Sequence, residues 1–312
     1  MKYLVTGGAG FIGSHLCEQL MKKGEVVCLD SFDPYYDPQV KRKNIESFMD
    51  NPDFELVEGN ILDKQLLFDL FEDVDYVFHD AAQAGVRISV DDPSKSHSVN
   101  ATGTLNVLEA AVNSGVHKVI NASSSSVYGE VSYLPFDEKH PNVPVSPYGA
   151  SKLIAEHYCR IFNELHDLDT ISLRYFTVFG PRMRPDLAIN IFTKKALKNE
   201  TIEIFGDGNK TRDFTYIDNI VDANMHAMDH GSGPYNIGGG ERVSILELAE
   251  KIIAITDSKS EIIYSASVKG DAQHTWSDVS KARKDLGYSP SIGLDEGLRR
   301  YVEWYIESTY QG

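Results

Sequence analysis

The segment Tyr3-Leu-Val-Thr-Gly-Gly-Ala-Gly-Phe-Ile-Gly13 decides the fold of this chain. An apolar run typical of a buried strand leads into three glycines, and an amphipathic, helix-like stretch follows them. Glycines at this spacing allow a tight turn, let the backbone approach a pyrophosphate, and let the helix pack closely on the strand. Because a helix N-terminus also favours negative charge, the segment predicts a dinucleotide-binding turn at Gly7, Gly10 and Gly13.

The next apolar run ends in Asp30, about 20 residues beyond this turn. A carboxylate at that place accepts hydrogen bonds from ribose hydroxyls and repels a 2′-phosphate. The sequence therefore predicts NAD rather than NADP as the cofactor. Asn60 and Ile61, which follow the third apolar run, are candidates to flank the adenine.

Apolar runs alternate with amphipathic segments outward from the turn, through the first half of the chain and beyond. This order is typical of a parallel sheet with helices on both faces. We predict an α/β fold: a doubly wound parallel sheet of the Rossmann type with a smaller mixed α/β substrate-binding lobe. The predicted strands are Tyr3 to Thr6, Val26 to Asp30, Phe54 to Gly59, Tyr76 to His79, Lys118 to Ala122 and Thr170 to Tyr175.

Beyond Gly180 the sequence changes to loops rich in Pro, Arg and Gly around shorter elements. A capping box, Ser244-Ile-Leu-Glu247, predicts a helix, and Phe214 to Ile217 and Tyr235 to Ile237 are predicted strands that return to the first sheet. The predicted NAD-binding domain spans residues 1–180 and about 211–237. The predicted substrate-binding domain spans about 181–210 and 238–312.

The composition excludes several classes of partner. With 30 Lys and Arg against 46 Asp and Glu, the formal net charge is −16, so we expect neither nucleic acid nor anionic lipid as a partner. No apolar run approaches the ~20 residues of a membrane helix, and no leader-like segment precedes the first strand, so we expect a cytoplasmic protein. Three cysteines without metal-ligand spacing predict neither a metal site nor a disulfide framework: Cys17, Cys28 and Cys159.

A second group of residues has the chemistry of an acid–base site. Tyr148 and Lys152 stand four residues apart at the start of a predicted helix, so they share one helix face. A neighbouring ammonium and a bound nicotinamide cation both favour phenolate, so we expect a lowered pKa that lets Tyr148 take a proton from a sugar hydroxyl. Ser124 follows a predicted strand and would share that proton in a short hydrogen bond. These three are the predicted catalytic residues.

Together these motifs resemble the extended short-chain dehydrogenase/reductase family, in particular its nucleotide-sugar 4-epimerases. The resemblance covers nearly the whole chain: Thr6 to Gly13, Asp30, His79-Asp-Ala-Ala82, Asn100, Ser123 to Gly129, Tyr148 to Lys152, Arg174 to Arg182, Arg212-Asp-Phe214 and Gly270-Asp271. It implies that NAD stays bound, that the tyrosine deprotonates the sugar 4-hydroxyl, and that hydride passes to the nicotinamide and returns to the other face of a 4-keto sugar. It also implies a homodimer joined through the helix after Asn100 and the helix that carries Tyr148.

The resemblance also implies binding roles for further residues. Its cofactor contacts, besides the turn and the catalytic pair, are Phe11, Ile12, Ala81, Ala82 and Asn100. For a UDP-sugar substrate it implies that Arg212 binds the diphosphate, that Phe205 contacts uracil, and that Asp271 contacts the uridine ribose, with Arg184 as a second cation. Val268 replaces a basic residue that the family often has, for which Lys269 or Arg184 would compensate.

Two serines bear on the reaction type. Family members that catalyse 4,6-dehydration carry an acid pair where this chain has Ser125 and Ser126, and UDP-glucuronate decarboxylases usually have Glu in place of Ser126. Because elimination requires a carboxylate base and a proton donor, both reactions rank below 4-epimerisation. A non-catalytic NAD(H)-sensing protein would need the glycine turn but not the reactive residues, whose presence favours an enzyme.

The sequence leaves the sugar open. Thr177 stands where many glucose/galactose-type epimerases have Asn, in a motif that resembles UDP-glucuronate 4-epimerases. This threonine and the serine run, Ser124, Ser125 and Ser126, would hydrogen-bond a C6 carboxylate. A small Thr275, at the position that gates C2 in the family, leaves room for an N-acetyl group. The candidates are therefore UDP-GlcNAc/UDP-GalNAc, UDP-glucuronate/UDP-galacturonate and UDP-glucose/UDP-galactose.

Overall fold

The structure is a computed structural model that describes residues 1–266 and 272–310. The strands in these residues are β1 Lys2–Thr6, β2 Glu25–Asp30, β3 Phe54–Glu58, β4 Tyr76–His79, β5 Lys118–Ser124, β6 Asp169–Tyr175, β7 Val178–Phe179, β8 Ile202–Phe205, β9 Thr211–Asp213, β10 Thr215–Tyr216, β11 Gly233–Ile237, β12 Arg242–Ser244 and β13 Ile262–Ser265. The α-helices are α1 Phe11–Leu20, α2 Pro38–Ile45, α3 Lys64–Leu70, α4 Val86–Asp91, α5 Pro93–His97, α6 Gly103–Ser114, α7 Pro147–His166, α8 Ala188–Leu197, α9 Ile217–Asp229, α10 Ile245–Ile255, α11 Ser280–Leu286 and α12 Leu294–Tyr310.

Seven of these strands form one parallel sheet in the order β11-β6-β5-β4-β1-β2-β3. The chain starts at β1, builds outward through β2 and β3, and then returns to the other side of β1 with β4. The six strands predicted for the first half of the chain are all present in this sheet. The reversal between β1 and β4 leaves a crevice at the carboxyl ends of the strands, where ligands bind in sheets of this kind.

Alternate side chains of β1 enter two separate hydrophobic cores, as the period of a strand requires. Tyr3 and Val5 pack in one core with α1, α9, α10 and α12. Leu4 packs in the other with α3, α6 and α7. The sheet is therefore covered by helices on both faces, and the predicted doubly wound fold is confirmed.

The second lobe is built from short paired elements. β8 pairs with β13, β9 pairs with β12, and α8 packs against α10. The predicted capping box is present, because the Ser244 hydroxyl accepts from the Glu247 amide at 3.1 Å and the Glu247 carboxylate accepts from the Ser244 amide at 2.7 Å. The predicted domain bounds stay a prediction.

One predicted strand does not join the main sheet. Tyr235 to Ile237 lies within β11, which pairs with β6 as expected. Thr215 and Tyr216 instead pair with β7 in a separate two-stranded sheet. The chain enters α9 directly after Tyr216, so the strand is too short to extend along the parallel sheet.

The structure can be compared with the expectations about membrane helices, metal sites and disulfides. Throughout residues 1–266 and 272–310, no helix combines the length and apolar character that crossing a bilayer requires. The same ranges contain no group of three or more His, Cys, Asp or Glu side chains placed to hold a metal ion. The three cysteines are buried and free.

Candidate active site

The glycine turn has the compact shape that a pyrophosphate cradle requires. Gly7 has φ +70°, in the left-handed region that glycine adopts without strain, and the Gly10 amide donates to the Gly7 carbonyl at 2.9 Å. A Cβ on Gly13 would collide with that carbonyl oxygen and lie 2.7 Å from the Gly8 Cα. Only glycine at position 13 therefore lets α1 pack this closely on the turn, and the cradle fits a dinucleotide.

A cavity opens above this turn at the carboxyl ends of the strands. The residues predicted to bind cofactor or substrate that line it are Gly7, Gly10, Phe11, Ile12, Asp30, Asn60, Ile61, Ala81, Ala82, Tyr148, Lys152 and Arg184. Further residues without a predicted cofactor role also line it, among them Asp33, Tyr35, Tyr36, Lys41, Asp80 and Gln83. Two of the predicted cofactor contacts, Gly13 and Asn100, do not line this cavity.

Asn100 supports the cavity wall from behind. It lies in a single π-helical turn, Ser98–Thr102, and is 1% exposed. Its Oδ1 accepts from the Gln83 amide at 2.7 Å, and its Nδ2 donates to the Ser151 hydroxyl at 2.9 Å. Gln83 lines the cavity and Ser151 lies on α7 between Tyr148 and Lys152. Asn100 therefore ties the wall to the helix that carries the reactive pair.

A buried imidazole connects three cavity segments. His79 Nδ1 lies 2.8 Å from the Thr6 hydroxyl, and its Nε2 lies 2.9 Å from the Thr104 hydroxyl. Thr104 donates its proton to the Asn100 carbonyl at 2.6 Å, so it accepts from His79 and the ring hydrogen is on Nε2. Thr6 then donates to Nδ1 and accepts from the Ala81 amide at 3.2 Å. This network sets the spacing between the glycine turn, the end of β4 and the π-helical turn.

We expect His79 to remain neutral in the folded protein as pH falls from 7.5 to 5, because burial lowers its pKa to about 3. The unfolded chain binds more protons than the folded one between about pH 3 and pH 6.5. The contribution of His79 to the free energy of unfolding therefore decreases as pH is lowered through this range, by about 1.4 kcal/mol per pH unit. Imidazole ¹⁵N chemical shifts report the tautomer and the titration, and a ring that protonates near pH 6.5 in the folded state contradicts the network.

The three predicted catalytic residues lie together. The Ser146 hydroxyl caps α7 by accepting from the Gly149 amide at 3.1 Å, which places Tyr148 and Lys152 in the first two turns. Ser124 stands at the end of β5, close enough to Tyr148 for its hydroxyl to lower the pKa of the phenol. Lys152 Nζ donates to the Ala122 carbonyl at 2.7 Å. The structure thus brings the phenol, the serine hydroxyl and the amine to one edge of the sheet.

The pKa of Tyr148 shifts in the direction opposite to our expectation. Burial raises it, while the Ser124 hydrogen bond and the charge of Arg184 lower it. The expected effect of Lys152 is not found here, because this ammonium donates to a backbone carbonyl rather than to the phenol. Burial therefore favours the neutral phenol, and the groups that oppose it are the Ser124 hydroxyl and the Arg184 guanidinium, which the four-residue spacing did not indicate.

Asp80 adds a carboxyl group to the same cavity. Burial raises the pKa of Asp80, and the positive charge of Lys152 opposes that shift. Burial likewise lowers the pKa of Lys152, and the negative charge of Asp80 opposes that shift. The two side chains therefore stabilise each other's charged forms inside a site that disfavours either charge alone.

Sequence reasoning missed a buried cluster that fixes α7 to the sheet. Glu156 accepts from the Ser123 hydroxyl at 2.5 Å and from Arg174 Nε at 2.9 Å and Nη2 at 2.7 Å. Ser123 immediately precedes Ser124, and Glu156 lies one turn beyond Lys152. The signal was a third polar residue continuing the four-residue step of Tyr148 and Lys152 along an otherwise buried helix face.

Hydroxyl groups of the predicted substrate site follow two adjacent strands. Ser125 and Ser126 form a short 3₁₀ turn after β5, and the Ser126 amide donates to the Ser124 hydroxyl at 3.1 Å. Ser124 is paired with Tyr175 in the β5–β6 register, and Thr177 comes two residues after Tyr175. These three serines and Thr177 therefore lie at neighbouring strand ends, but they are not among the residues that line the cavity.

Arg184 lies at the edge of the cavity in an ion pair. Its Nε and Nη2 donate to the two carboxylate oxygens of Asp186 at 2.9 and 3.0 Å. The Tyr35 hydroxyl also donates to Asp186, at 3.0 Å, and the guanidinium lies 5.6 Å from the Tyr35 ring centroid. Arg184 is thus held between the loop after β2 and the start of the second lobe.

The remaining predicted substrate contacts lie outside this cavity. Phe205 ends β8, is 43% exposed and lies 4.9 Å from the guanidinium of Arg87. Arg212 donates to the Thr211 and Ala272 carbonyls, and Thr275 is buried, with its hydroxyl accepting from the Asp213 amide at 3.3 Å. Their substrate roles stay predictions. Four residues named in the sequence analysis lie outside the described residues: Val268, Lys269, Gly270 and Asp271.

Comparison with known proteins bears on the family. The model of the NAD-dependent epimerase/dehydratase family matches residues 3–238. A putative UDP-glucose 4-epimerase from Methanocaldococcus jannaschii is 40% identical over 307 residues, 96% of this chain and 97% of that protein. The UDP-glucuronate 4-epimerase of Thermodesulfobacterium geofontis is 38% identical over 311 residues, 98% of this chain and 96% of that protein.

A solved structure is similar over the same length. The UDP-glucuronic acid 4-epimerase of Bacillus cereus, in complex with UDP-glucuronic acid and NAD, superimposes with a TM-score of 0.94. The two sequences are 39% identical, and the similarity covers 99% of this chain and 100% of that one. The family resemblance seen in the sequence motifs is confirmed.

Proposed function

Since the chain belongs to the NAD-dependent epimerase/dehydratase family, we propose that it epimerises UDP-glucuronate and UDP-galacturonate at C4. At the coarser level it is an NAD-dependent UDP-sugar 4-epimerase, as the sequence motifs predicted. The choice of a hexuronic acid is our proposal. The observation that carries it is the group of hydroxyl side chains at the adjoining ends of β5 and β6.

The chain's own residues fit NAD. The glycine turn leaves room for a pyrophosphate, and the buried carboxylate of Asp30 lies in the cavity where an adenosine ribose is recognised. When bound, NAD supplies the reversible oxidation of the sugar carbon. The protein's part is to hold the cofactor and to move one proton.

That proton belongs to the sugar 4-hydroxyl, and Tyr148 is placed to take it. The neighbouring Ser124 hydroxyl lowers the pKa of this phenol, so it favours the phenolate and would share the proton in a short hydrogen bond. Returning the proton from Tyr148 to O4 completes the cycle, because epimerisation consumes no proton overall. Arg184 also favours the phenolate, and its charge adds to the attraction for an anionic substrate.

A hexuronic acid carries a carboxylate at C6. This negative charge requires hydrogen-bond donors around it and is repelled by carboxylate side chains. We assign this role to the hydroxyls of Ser125, Ser126 and Thr177, which follow the adjoining ends of β5 and β6. Hydrogen bonds to a charged group are stronger than neutral ones. The same serines stand where a dehydratase would need an acid pair, so this one feature supports the proposed sugar and tells against elimination.

We expect UDP-glucuronate to have the highest kcat/KM of the candidate sugars. Thr177→Val removes one donor and keeps the shape, so it should raise KM for UDP-glucuronate roughly tenfold, the usual worth of a hydrogen bond to a charged group. The KM for UDP-glucose should change less than about twofold. Product chromatography with each UDP-sugar measures both reaction type and preference.

The matched control is Thr201→Val, an exposed threonine just before β8 that should leave both substrates unchanged. Equal losses for UDP-glucuronate and UDP-glucose in Thr177→Val would refute the carboxylate contact. Failure to invert any UDP-sugar would remove the epimerase assignment itself.

A second candidate is UDP-N-acetylhexosamine epimerisation. The small side chain of Thr275 favours it, because a position that gates C2 would leave room for an N-acetyl group. In the same chromatographic experiment, faster turnover of UDP-GlcNAc than of UDP-glucuronate would replace our proposal with this one.

The homodimer that the resemblance implied also remains a proposal. α7 keeps several apolar side chains only half-buried in the single chain: Leu153, Ile154, Tyr158 and Ile161. Burial of these groups against a second copy would remove apolar surface from water. A cytoplasmic location stays a prediction.

A further inference from the structure

The Asp30 carboxylate, which should recognise the adenosine ribose, is paired with a positive charge of the protein itself. Lys41 Nζ lies 2.8 Å from Asp30 Oδ1, and the two side chains are 14% and 1% exposed. The same oxygen accepts from the Phe32 amide at 2.8 Å, and Oδ2 accepts from the Ala9 amide at 3.2 Å. A carboxylate has about four acceptor positions, so three donors of the protein leave about one for a ribose hydroxyl.

Lys41 is placed by its helix rather than by chance. α2 begins after Asp37, whose carboxylate caps it by accepting from the Gln39 amide at 3.0 Å. This puts Lys41 one turn into the helix, with its ammonium 5.8 Å from the Tyr36 ring centroid and its side chain in the wall of the cavity. One of its three donors is used by Asp30, so two remain on the cavity side.

The neighbouring charges are engaged elsewhere. Arg42 Nη2 pairs with Glu58 at 3.0 Å and its guanidinium lies 4.2 Å from the Phe32 ring centroid. Asp33, in the same cavity wall, pairs with Lys95 at 2.9 Å. Among the residues that line this cavity, Lys41 is the cation in direct contact with Asp30.

We infer that Lys41 is a specificity-determining residue for the cofactor, because it cancels part of the charge by which Asp30 excludes NADP. A lone carboxylate repels a 2′-phosphate, whereas an ion pair repels it less and its ammonium donates to phosphate oxygens. The site therefore prefers NAD by a smaller factor than Asp30 alone would set. The inference rests on the NAD site of the proposed function.

The test measures which nucleotide the protein holds, independently of turnover. Each variant is equilibrated with an excess of equimolar NAD and NADP, separated from free nucleotide by gel filtration, denatured, and its bound nucleotides are quantified by chromatography. Lys41→Gln should raise the bound NAD-to-NADP ratio roughly tenfold, the effect expected for a partly buried charge contact. Lys41→Arg keeps the charge and should stay near the wild-type ratio.

Asp30→Asn gives the opposite change. It removes the negative charge and frees the ammonium, so the bound ratio should fall roughly tenfold in favour of NADP. In Asp30→Asn combined with Lys41→Gln, this gain of NADP should be lost, because its binding partner is gone. Arg42→Gln is the matched control, with the same change of charge one residue away but no contact with Asp30, and it should alter the ratio less than about twofold.

An unchanged ratio in Lys41→Gln, or an equal change in Arg42→Gln, would overturn the inference. So would NADP binding in Asp30→Asn that survives the loss of Lys41. A wild-type protein that retains neither nucleotide would instead refute the dinucleotide site of the proposed function, so the two ideas fail by different observations.

Discussion

Replacement of Tyr148 by phenylalanine is expected to lower turnover by about 10²- to 10⁴-fold, the usual cost of losing a general base. Phenylalanine keeps the ring but removes the oxygen that we propose as the acceptor of the 4-hydroxyl proton. Because the ring keeps its packing in the described part of the fold, thermal stability and NAD retention should be preserved. Product chromatography under saturating substrate measures the loss.

Tyr158→Phe is the matched control for that experiment. Tyr158 lies on the same helix, α7, and packs at the edge of the second core. Phenylalanine keeps the ring both for this core and for the proposed dimer surface, so turnover should stay near the wild-type value. Activity close to wild type in Tyr148→Phe would show that another group takes the proton. Loss of NAD together with activity would show that the phenol has a structural role.

Gly13→Ala is expected to give the second large effect, on cofactor binding. The new Cβ would meet only backbone atoms, the Gly7 carbonyl and the Gly8 Cα, so no side-chain rotation relieves the collision. Overpacking of this kind costs about 1–3 kcal/mol. If the glycine turn is displaced to relieve the collision, NAD affinity falls roughly 5- to 150-fold. If α1 is displaced instead, the unfolding temperature falls.

Calorimetric titration with NAD and thermal unfolding followed by circular dichroism separate these two outcomes. Gly293→Ala is the control, because a Cβ there has no atom within 4 Å and the site lies before α12, away from the cavity. A Gly13→Ala variant that binds NAD and unfolds like the wild type would show that the turn tolerates a side chain.

The features that were predicted correctly from the sequence are patterns of residues that lie close together along the chain. Glycines three residues apart, a Tyr and a Lys one helical turn apart, and a Ser–Glu capping box are each read within a few residues of the chain. Their geometry is fixed locally by the helix repeat and by the turn, so the packing of the rest of the protein does not alter it. The parallel sheet with helices on both faces followed equally, because alternation of strand and helix admits few other arrangements.

Pairings between distant segments were not recoverable in this way. The expected strand at Phe214 to Ile217 shortened to Thr215 and Tyr216 and paired with β7. The cluster of Ser123, Glu156 and Arg174 joins two strands to a helix. Such contacts are selected by burial and hydrogen-bond satisfaction over the whole fold. The four-residue step from Lys152 to Glu156 marks the helix face but does not identify the strands that it meets.

The amino-acid sequence by itself determined that this chain folds around a dinucleotide turn. It also carries a tyrosine, a lysine and a serine in the pattern predicted for proton transfer, and it has serines where an eliminating enzyme needs acids. Only the tertiary structure decided how those groups are charged. Burial raised the pKa of the Tyr148 phenol, a backbone carbonyl took the Lys152 ammonium, and α2 carried Lys41 onto Asp30. The reason is that a motif specifies which groups are present, whereas solvent exclusion and the nearest opposite charge, set by distant segments, specify how each group ionises.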